Sequence, residues 1–308
     1  MKEKEGCFLK VKNDYLNFLK KEEIFEKSEK SKIRNLKNYY IPMAFWIEEK
    51  YKNKDKTLFL GLSGGQGSGK TTVSKILKII MKKYFNRNIY VSSIDDFYKT
   101  LREREKMSKK IHRLFKTRGV PGTHDVKLIK KFFHDVKGKK FRKSKIPKFD
   151  KSIDDRLKSK FFYKIKTRPE IIILEGWCVG AKPQINSLIK EPLNILEKNE
   201  DQNFIWRKYV NEKLKKEYKK IFSFIDHLIF MKIPSFNMVL RWRLLQESKL
   251  RKKFKTDKKI MNYKEIKRFI MFYQRITLQM LKDLSKSASV VLLLKKNHEI
   301  KKIIFKSQ

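Results

Sequence analysis

The segment Leu58–Thr72 reads LFLGLSGGQGSGKTT, and it decides the fold expected of this 308-residue chain. An apolar run leads into a glycine-rich loop, and Gly64, Gly69, Lys70 and Thr71 match G-x-x-x-x-G-K-[ST], the P-loop. Glycines let backbone N–H groups curl around phosphate oxygens, and the helix N-terminus adds positive partial charge. The segment predicts nucleoside triphosphate binding by Gly64, Gly65, Gln66, Gly67, Ser68, Gly69, Lys70, Thr71 and Thr72.

Two side chains of this loop, and one from a later strand, carry specific chemistry. Lys70 can reach the β- and γ-phosphates, and Thr71 can ligate Mg²⁺. Glu175 ends the apolar run IIILEG, where a charge is costly unless it has a partner. A Mg²⁺ ion beside Thr71 is the natural partner, so Thr71 and Glu175 are the predicted metal ligands.

Short apolar runs alternate with helical patterns along the chain. Such alternation is typical of a parallel sheet covered on both faces, so we expect an α/β fold, a three-layer α/β/α P-loop domain. Its mostly parallel sheet is expected to have five strands: Thr57–Ser63, Asn88–Ile94, Glu170–Leu174, His227–Ile233 and Ser289–Leu294. Residues 1–50 are predicted to form an N-terminal helical extension, and 51–308 the P-loop domain, with a helical insertion at about 181–222.

The composition is strongly basic, with 78 Lys plus Arg against 33 Asp plus Glu, a formal net charge of +45. These residues are spread over the whole length, as expected from an AT-rich genome whose codons favour Lys, Ile, Asn and Phe. We therefore expect no specific nucleic-acid partner, although the charge should attract anionic substrates. No apolar run is long enough to cross a bilayer, and two distant cysteines indicate a reducing, cytoplasmic setting.

Asp95 and Asp96 follow the second predicted strand. The carboxyl ends of parallel strands border the ligand crevice, so a carboxylate there can take the proton of a substrate hydroxyl during phosphoryl transfer. The alternative is a helix N-cap, for which Asp is favoured. We predict that Asp95 is the base and that Asp96 contributes to the substrate site.

Arginines follow the fourth predicted strand, at Arg241, Arg243 and Arg251. Their guanidinium groups suit phosphate oxygens and the charge that develops in phosphoryl transfer, which makes Arg241 and Arg243 predicted catalytic residues. The alternative is a solvated basic surface.

Two polar segments between the second and third strands, TRGVPGTHD and IPKFDKSIDDR, are candidates for a substrate pocket. By themselves they would be interpreted as surface loops. The predicted substrate-binding residues are Asp96, Tyr98, Arg118, His124, Asp125, Lys148, Asp150 and Arg156, with Lys151 as a further cation and Trp177, Trp206 and Tyr209 shaping the pocket.

Taken in order, GLSGGQGSGKTT, SIDDFY, RGVPGTHD, IPKFDKS, ILEGWCVG and IPS followed by RWRLLQE resemble the D-glycerate 3-kinases of the plant and cyanobacterial type over about residues 39–294. Wider kin are uridine kinase, phosphoribulokinase and bacterial pantothenate kinase. The resemblance implies that ATP phosphorylates glycerate to 3-phosphoglycerate, the closing step of photorespiration. It also implies Asp95 as base, Glu175 near the metal, and lid arginines at 241–251.

Two alternatives stay open. One is a kinase for another hydroxylated metabolite, such as a nucleoside or pantothenate. The other is an ATP-binding regulatory or RNA-associated protein that uses its +45 charge. The sequence leaves the oligomeric state open, and it does not rank Arg118, Lys148, Lys151 and Arg156 as partners of a substrate carboxylate.

Overall fold

The structure is a computed structural model that describes residues 2–22, 28–54, 56–138, 140–253 and 261–306. Its strands are β1 (Leu58–Gly64), β2 (Ile89–Ser93), β3 (Ser144–Ile146), β4 (Phe149–Asp150), β5 (Asp155–Arg156), β6 (Tyr163–Ile165), β7 (Ile171–Gly176), β8 (His227–Lys232), β9 (Val290–Leu294) and β10 (Ile300–Phe305). Six of them form the central sheet in the order β10-β9-β8-β1-β7-β2. Only β10 runs antiparallel to its neighbour. The expected α/β fold is confirmed.

Helices connect the parallel strands of the central sheet. The α-helices of the described residues are α1 (Lys2–Lys21), α2 (Glu29–Asn35), α3 (Ile41–Lys52), α4 (Lys70–Lys83), α5 (Leu101–Lys110), α6 (Val126–Lys137), α7 (Asn186–Lys190), α8 (Ile195–Glu200), α9 (Ile205–Lys213), α10 (Lys219–Phe222), α11 (Asn237–Lys253) and α12 (Tyr263–Ser287). None of the helices in the described ranges combines the length and the apolar composition that a membrane crossing requires.

The sheet separates two hydrophobic clusters because its side chains alternate between its faces. Every residue of β1 is buried. Leu58, Leu60 and Leu62 join the cluster that contains α1, α3 and α4, whereas Phe59 joins the cluster of α6, the 181–222 region and much of α12. Alternate side chains of this buried strand therefore pack against helices on opposite faces of the sheet, which gives the three layers of the fold.

A sixth strand, β10, extends the sheet beyond the five that the sequence predicts. Its sequence IKKIIF places two lysines among apolar residues, which obscures a strand pattern. In the structure β10 pairs with β9, and the Trp46 and Phe305 ring centroids lie 6.2 Å apart. The Tyr39 hydroxyl donates to the Lys301 carbonyl at 3.2 Å. The N-terminal helical region and β10 thus pack against each other at this edge of the sheet.

The N-terminal helices pack on the sheet rather than standing apart from it. Cys7, Val11 and Ile47 are fully buried in the same cluster as the inner strands. An ion pair between Arg87 and Glu48, 2.5 Å long, ties α3 to the segment before β2. The predicted boundary at residue 50 stays a prediction, because a shared core does not by itself divide a chain into domains.

The register of the sheet brings three functional strand ends together. Leu62 of β1 and Ser93 of β2 both pair with Glu175 of β7. Beyond these positions β1 continues into the glycine-rich loop, and β2 continues into a short 3₁₀ helix, Ile94–Phe97. This edge is where parallel α/β sheets carry their ligand crevices.

Candidate active site

The glycine-rich loop closes tightly over the N-terminus of α4. Gly67 and Gly69 have φ values of +74° and +89°, which only glycine adopts without strain. A Cβ atom on Gly64 would lie 2.9 Å from the Met231 Cβ. These glycines therefore keep the loop backbone in a shape that side chains would prevent and that suits binding of an anion by backbone N–H groups.

Lys70 lies folded over this loop. Its Nζ donates to the carbonyl oxygens of Gly64 at 2.9 Å and of Gly65 at 3.0 Å. Burial lowers the pKa of Lys70, and the nearby Glu175 carboxylate opposes that shift. The ammonium is thus held by neutral carbonyls, from which a phosphate can attract it.

Thr71 and Glu175 meet as the sequence predicts. The Thr71 hydroxyl donates to Glu175 Oε1 at 3.0 Å. Glu175 is only 7% exposed, and burial raises its pKa while Lys70 lowers it. A hydroxyl and one carboxylate suit Mg²⁺, which takes few protein ligands and completes its shell with phosphates and water. The described residues contain no larger cluster of acidic, His or Cys side chains that could hold a metal.

A cavity of about 320 Å³ opens beside the loop, with a lining that includes Gly67, Thr72, Trp242 and His298. The Trp242 and His298 rings stack with centroids 4.1 Å apart, and His298 Nε2 lies 2.9 Å from the Gly67 carbonyl oxygen. Sequence reasoning missed both residues here. The turn signal KKNHE between β9 and β10 could have indicated His298 if a terminal hairpin had been considered.

Asp95 lies across the crevice from the loop, in the 3₁₀ helix after β2. Ser93, rather than Asp95, is the N-cap of that helix, so the capping alternative for Asp95 is not what the structure shows. Tyr98 donates its hydroxyl to Asp95 Oδ1 at 3.0 Å, and Lys151 Nζ donates to Oδ2 at 2.7 Å. Burial favours a raised pKa, but Lys151 and Tyr98 outweigh it and lower the pKa of Asp95 to about 2.

Asp96 differs from its neighbour because no cation of the described residues pairs with it directly. Its Oδ1 accepts a long hydrogen bond, 3.4 Å, from the Phe149 backbone N–H. Burial, and after it the Asp95 charge, raises the pKa of Asp96 to about 6. Two adjacent carboxylates therefore have different proton affinities, and Asp95 is the one that is ionised across the physiological range.

His124 is buried beneath this site, stacked on Tyr98 with ring centroids 4.4 Å apart. Its Nδ1 lies 2.6 Å from the Tyr218 hydroxyl, which accepts the Gly122 backbone N–H at 3.0 Å. The tyrosine hydrogen is then available to the imidazole, so Nδ1 accepts and Nε2 carries the ring proton. Nε2 is buried and has no hydrogen-bond partner among the described residues.

The pKa of His124 is lowered by burial to about 4, which makes stability sensitive to acid. A buried histidine whose pKa is lower in the folded than in the unfolded chain stabilises the fold while it is neutral. This contribution is complete above the unfolded pKa near 6.5, and it is lost as the pH falls towards 4. We expect about 2 kcal/mol of this contribution to be lost between pH 7 and pH 5. The free energy of unfolding of the wild type should fall more steeply over that interval than that of His124→Gln. Parallel pH profiles would contradict the buried neutral imidazole.

Most of the other predicted substrate-binding residues form hydrogen bonds or ion pairs with other residues of the protein. Arg156 donates to the Tyr98 carbonyl at 2.7 Å and pairs with Asp125 at 3.4 Å, and Asp125 also caps α6. Arg118 pairs with Asp154 and lies 5.4 Å from the centre of the Phe149 ring. Asp150 accepts from Ser152, and Lys148 lies 5.7 Å from the Tyr163 ring centre.

The two predicted catalytic arginines of α11 lie on different sides. Arg243 pairs with Glu247. Burial raises the pKa of Tyr273, which lies near the acceptor side of the crevice, and the charges of Arg118 and Arg243 oppose that rise. Arg241 is exposed and lines a cavity with Lys296 and Glu299 that shares Trp242 and His298 with the cavity beside the loop. The structure therefore brings Arg243, and not Arg241, towards the acceptor crevice. The Arg251 side chain lies outside the described residues.

The three predicted aromatic residues are also dispersed. Trp177 donates its indole N–H to the Gly119 carbonyl at 2.9 Å and contacts Tyr273 edge-on. Tyr209 packs against Phe115, and Trp206 lines a small cavity between the 181–222 region and α12. Trp177 thus supports the segment that carries Arg118, while Trp206 belongs to another part of the core.

Comparisons with known proteins were made for sequence and for structure. No family model matches the chain. The uncharacterized kinase mug58 of Schizosaccharomyces pombe is 32% identical over 237 residues, which cover 74% of this chain and 82% of that protein. The chloroplastic D-glycerate 3-kinase of Arabidopsis thaliana is 30% identical over 233 residues, covering 70% of this chain and 48% of the plant protein.

One solved structure has the same fold over nearly its whole length. It is a D-glycerate 3-kinase from Cryptococcus neoformans, with a TM-score of 0.72 over 87% of this chain and 99% of that one, at 21% identity. At that identity the likeness establishes the shared architecture.

Proposed function

This chain belongs to the family of ATP-dependent P-loop kinases that contains the fission-yeast kinase, and we propose that it phosphorylates D-glycerate to 3-phosphoglycerate. The single observation that carries the proposal is the geometry of the crevice: Asp95 at one strand end faces the Lys70 loop and the Thr71–Glu175 pair. The plant relative, named a D-glycerate 3-kinase, supports the choice of acceptor.

In the proposed mechanism, the loop backbone and Lys70 bind the β- and γ-phosphates, and Thr71 and Glu175 are the residues that would hold Mg²⁺. Bound MgATP supplies the phosphoryl group, and the metal neutralises charge on the phosphates. Asp95 accepts the proton of the primary hydroxyl while the new O–P bond forms and the bond to the leaving ADP oxygen breaks. Arg243, on the acceptor side of α11, stabilises the charge on the transferred group.

The acceptor side of the crevice suits a small hydroxy acid. His124 offers a buried Nε2–H donor without a partner among the described residues, next to the Tyr98–Asp95 hydrogen bond. Lys151, Arg118 and Arg156 make this side of the crevice positive, although each of the three already has an acidic partner within the protein. Asp96, Tyr98, Asp125 and Asp150 frame the same side, in our proposal as substrate-site residues.

The same proposal includes the setting of the reaction. We place the enzyme in a reducing compartment, the cytoplasm, since Cys7 and Cys178 are far apart in sequence and each is buried in a different hydrophobic cluster. Its partner is a small anionic metabolite rather than a specific nucleic acid.

One experiment tests the function directly. Purified protein with MgATP is offered D-glycerate, L-glycerate, glycerol, uridine and pantothenate, and ADP release is measured for each. We expect turnover with D-glycerate to exceed the others, with 3-phosphoglycerate as the product. Activity confined to uridine or pantothenate would overturn the substrate, and salt-sensitive RNA binding without any turnover would favour the regulatory alternative.

A further inference from the structure

A short two-stranded arm formed by β4 and β5, residues 149–156, crosses the acceptor side of the crevice. It is fixed to the Asp95–Tyr98 segment at its base. The Phe149 ring packs edge-on against Tyr98 with centroids 5.2 Å apart, and Arg156 donates to the Tyr98 carbonyl oxygen. Near its tip, Asp154 pairs with both Arg118 and Arg104. The arm backbone is therefore anchored at both ends.

Lys151 is the part of this arm that reaches the proposed base. Its side chain is 62% exposed along its length, yet its Nζ lies 2.7 Å from Asp95 Oδ2. Asp95 is the only acid within ion-pair distance of Lys151 in the described part of the chain. With Tyr98 on Oδ1 and Lys151 on Oδ2, both oxygens of Asp95 are engaged. A carboxylate held in this way is a weak proton acceptor.

The neighbouring cations are committed elsewhere. Arg118 is paired with Asp154, and Arg156 with Asp125 and the Tyr98 carbonyl. Lys148, which directly precedes Phe149 in the sequence, places its Nζ 5.7 Å from the centre of the Tyr163 ring. Lys151 has a long flexible stem, a single partner, and a position beside the atom that must react. A substrate carboxylate can replace the Asp95 carboxylate as its partner, which pairs the substrate charge and leaves Asp95 with the Tyr98 hydrogen bond.

Building on the proposed function, we propose that Lys151 determines acceptor specificity by exchanging ion pairs. In the absence of substrate, Lys151 pairs with Asp95. When a hydroxy acid enters, Lys151 pairs with the substrate carboxylate instead. This exchange binds the acid and releases Asp95 to act as the base beside the substrate hydroxyl. A neutral polyol has no carboxylate to pair with Lys151, so Asp95 stays in its ion pair and remains a weak base. The class of acceptor selected is a small carboxylate that carries a primary hydroxyl, such as a 2,3-dihydroxy carboxylate.

The test compares wild type, Lys151→Met, Lys151→Arg and the control Lys158→Met, an exposed lysine just beyond the arm. Each is assayed with MgATP on D-glycerate and on glycerol, its neutral counterpart. Loss of one charge-assisted contact should lower kcat/KM for D-glycerate about 10–100-fold in Lys151→Met. The value for glycerol should stay level or rise, because Asp95 is no longer held. Lys151→Arg should restore part of the preference, and Lys158→Met should match the wild type.

The outcomes separate this inference from the function on which it rests. If the wild type prefers D-glycerate and Lys151→Met keeps the same glycerate-to-glycerol ratio, the exchange is overturned and the function stands. If the wild type phosphorylates only neutral alcohols, both are overturned. Equal losses on both acceptors in Lys151→Met, with unchanged thermal unfolding, would also overturn the exchange, since they indicate a role unrelated to the carboxylate.

Discussion

Asp95→Asn is expected to lower kcat about 10²–10⁴-fold, the range for losing a general base. The amide is nearly the same size as the carboxylate and can still accept the Tyr98 hydrogen bond at 3.0 Å, so the crevice should keep its shape. It cannot take the proton of the acceptor hydroxyl. Since Asp95 is not among the groups that we assign to the phosphates, binding of MgATP should be largely unchanged, as measured by fluorescent-nucleotide displacement.

The neighbouring variant Asp96→Asn is the matched comparison. Asp96 has the higher pKa of the pair, about 6, and no direct cation, so its removal should cost about tenfold or less if its part is to position the substrate. Wild-type turnover in Asp95→Asn would remove Asp95 from the mechanism. A larger loss in Asp96→Asn than in Asp95→Asn would exchange the two roles.

Lys70→Met should lower kcat/KM by roughly 10³-fold, comparable to the loss of a main donor to developing charge. Among the described residues the ammonium of Lys70 donates to the carbonyls of Gly64 and Gly65, and Glu175 opposes the effect of burial on its pKa. Methionine keeps most of the length and removes a charge that burial disfavours. The thermal midpoint should therefore not fall, which separates this effect from unfolding.

The control for that variant is Lys78→Met, which removes one exposed lysine from the same helix, α4. It should leave both the thermal midpoint and kcat/KM near wild type. If Lys70→Met kept an activity close to that of Lys78→Met, the assignment of the phosphate clamp would be wrong.

The sequence predicts the central strands and the phosphate loop because each depends on local patterns. Apolar runs identify buried parallel strands, and the end of such a run locates Glu175. Its 3.0 Å contact with Thr71 then follows from the rule that parallel strand ends share one edge. β10 follows no such rule, since its lysines break the apolar run and only pairing with β9 makes it a strand.

The sequence does not predict which side chains contact each other when the residues are far apart in the chain. Lys151 and Asp95 are 56 positions apart, and nothing local distinguishes Lys151 from Lys148. The protonated nitrogen of His124 depends on Tyr218, which is 94 positions away. Arg241 and Arg243 have the same chemistry, and only the orientation of α11 against the sheet tells which of them faces the acceptor crevice.

The strand order also has a consequence for how the chain folds. β1 lies between β7 and β8, so Leu60 pairs with Ile173 on one side and His227 on the other. Neither partner is close in sequence, and pairing across long loops slows folding because chain entropy is lost before contacts form. Until β7 and β8 pair with it, β1 is an apolar strand with two unpaired edges, which favours aggregation of the partly folded chain.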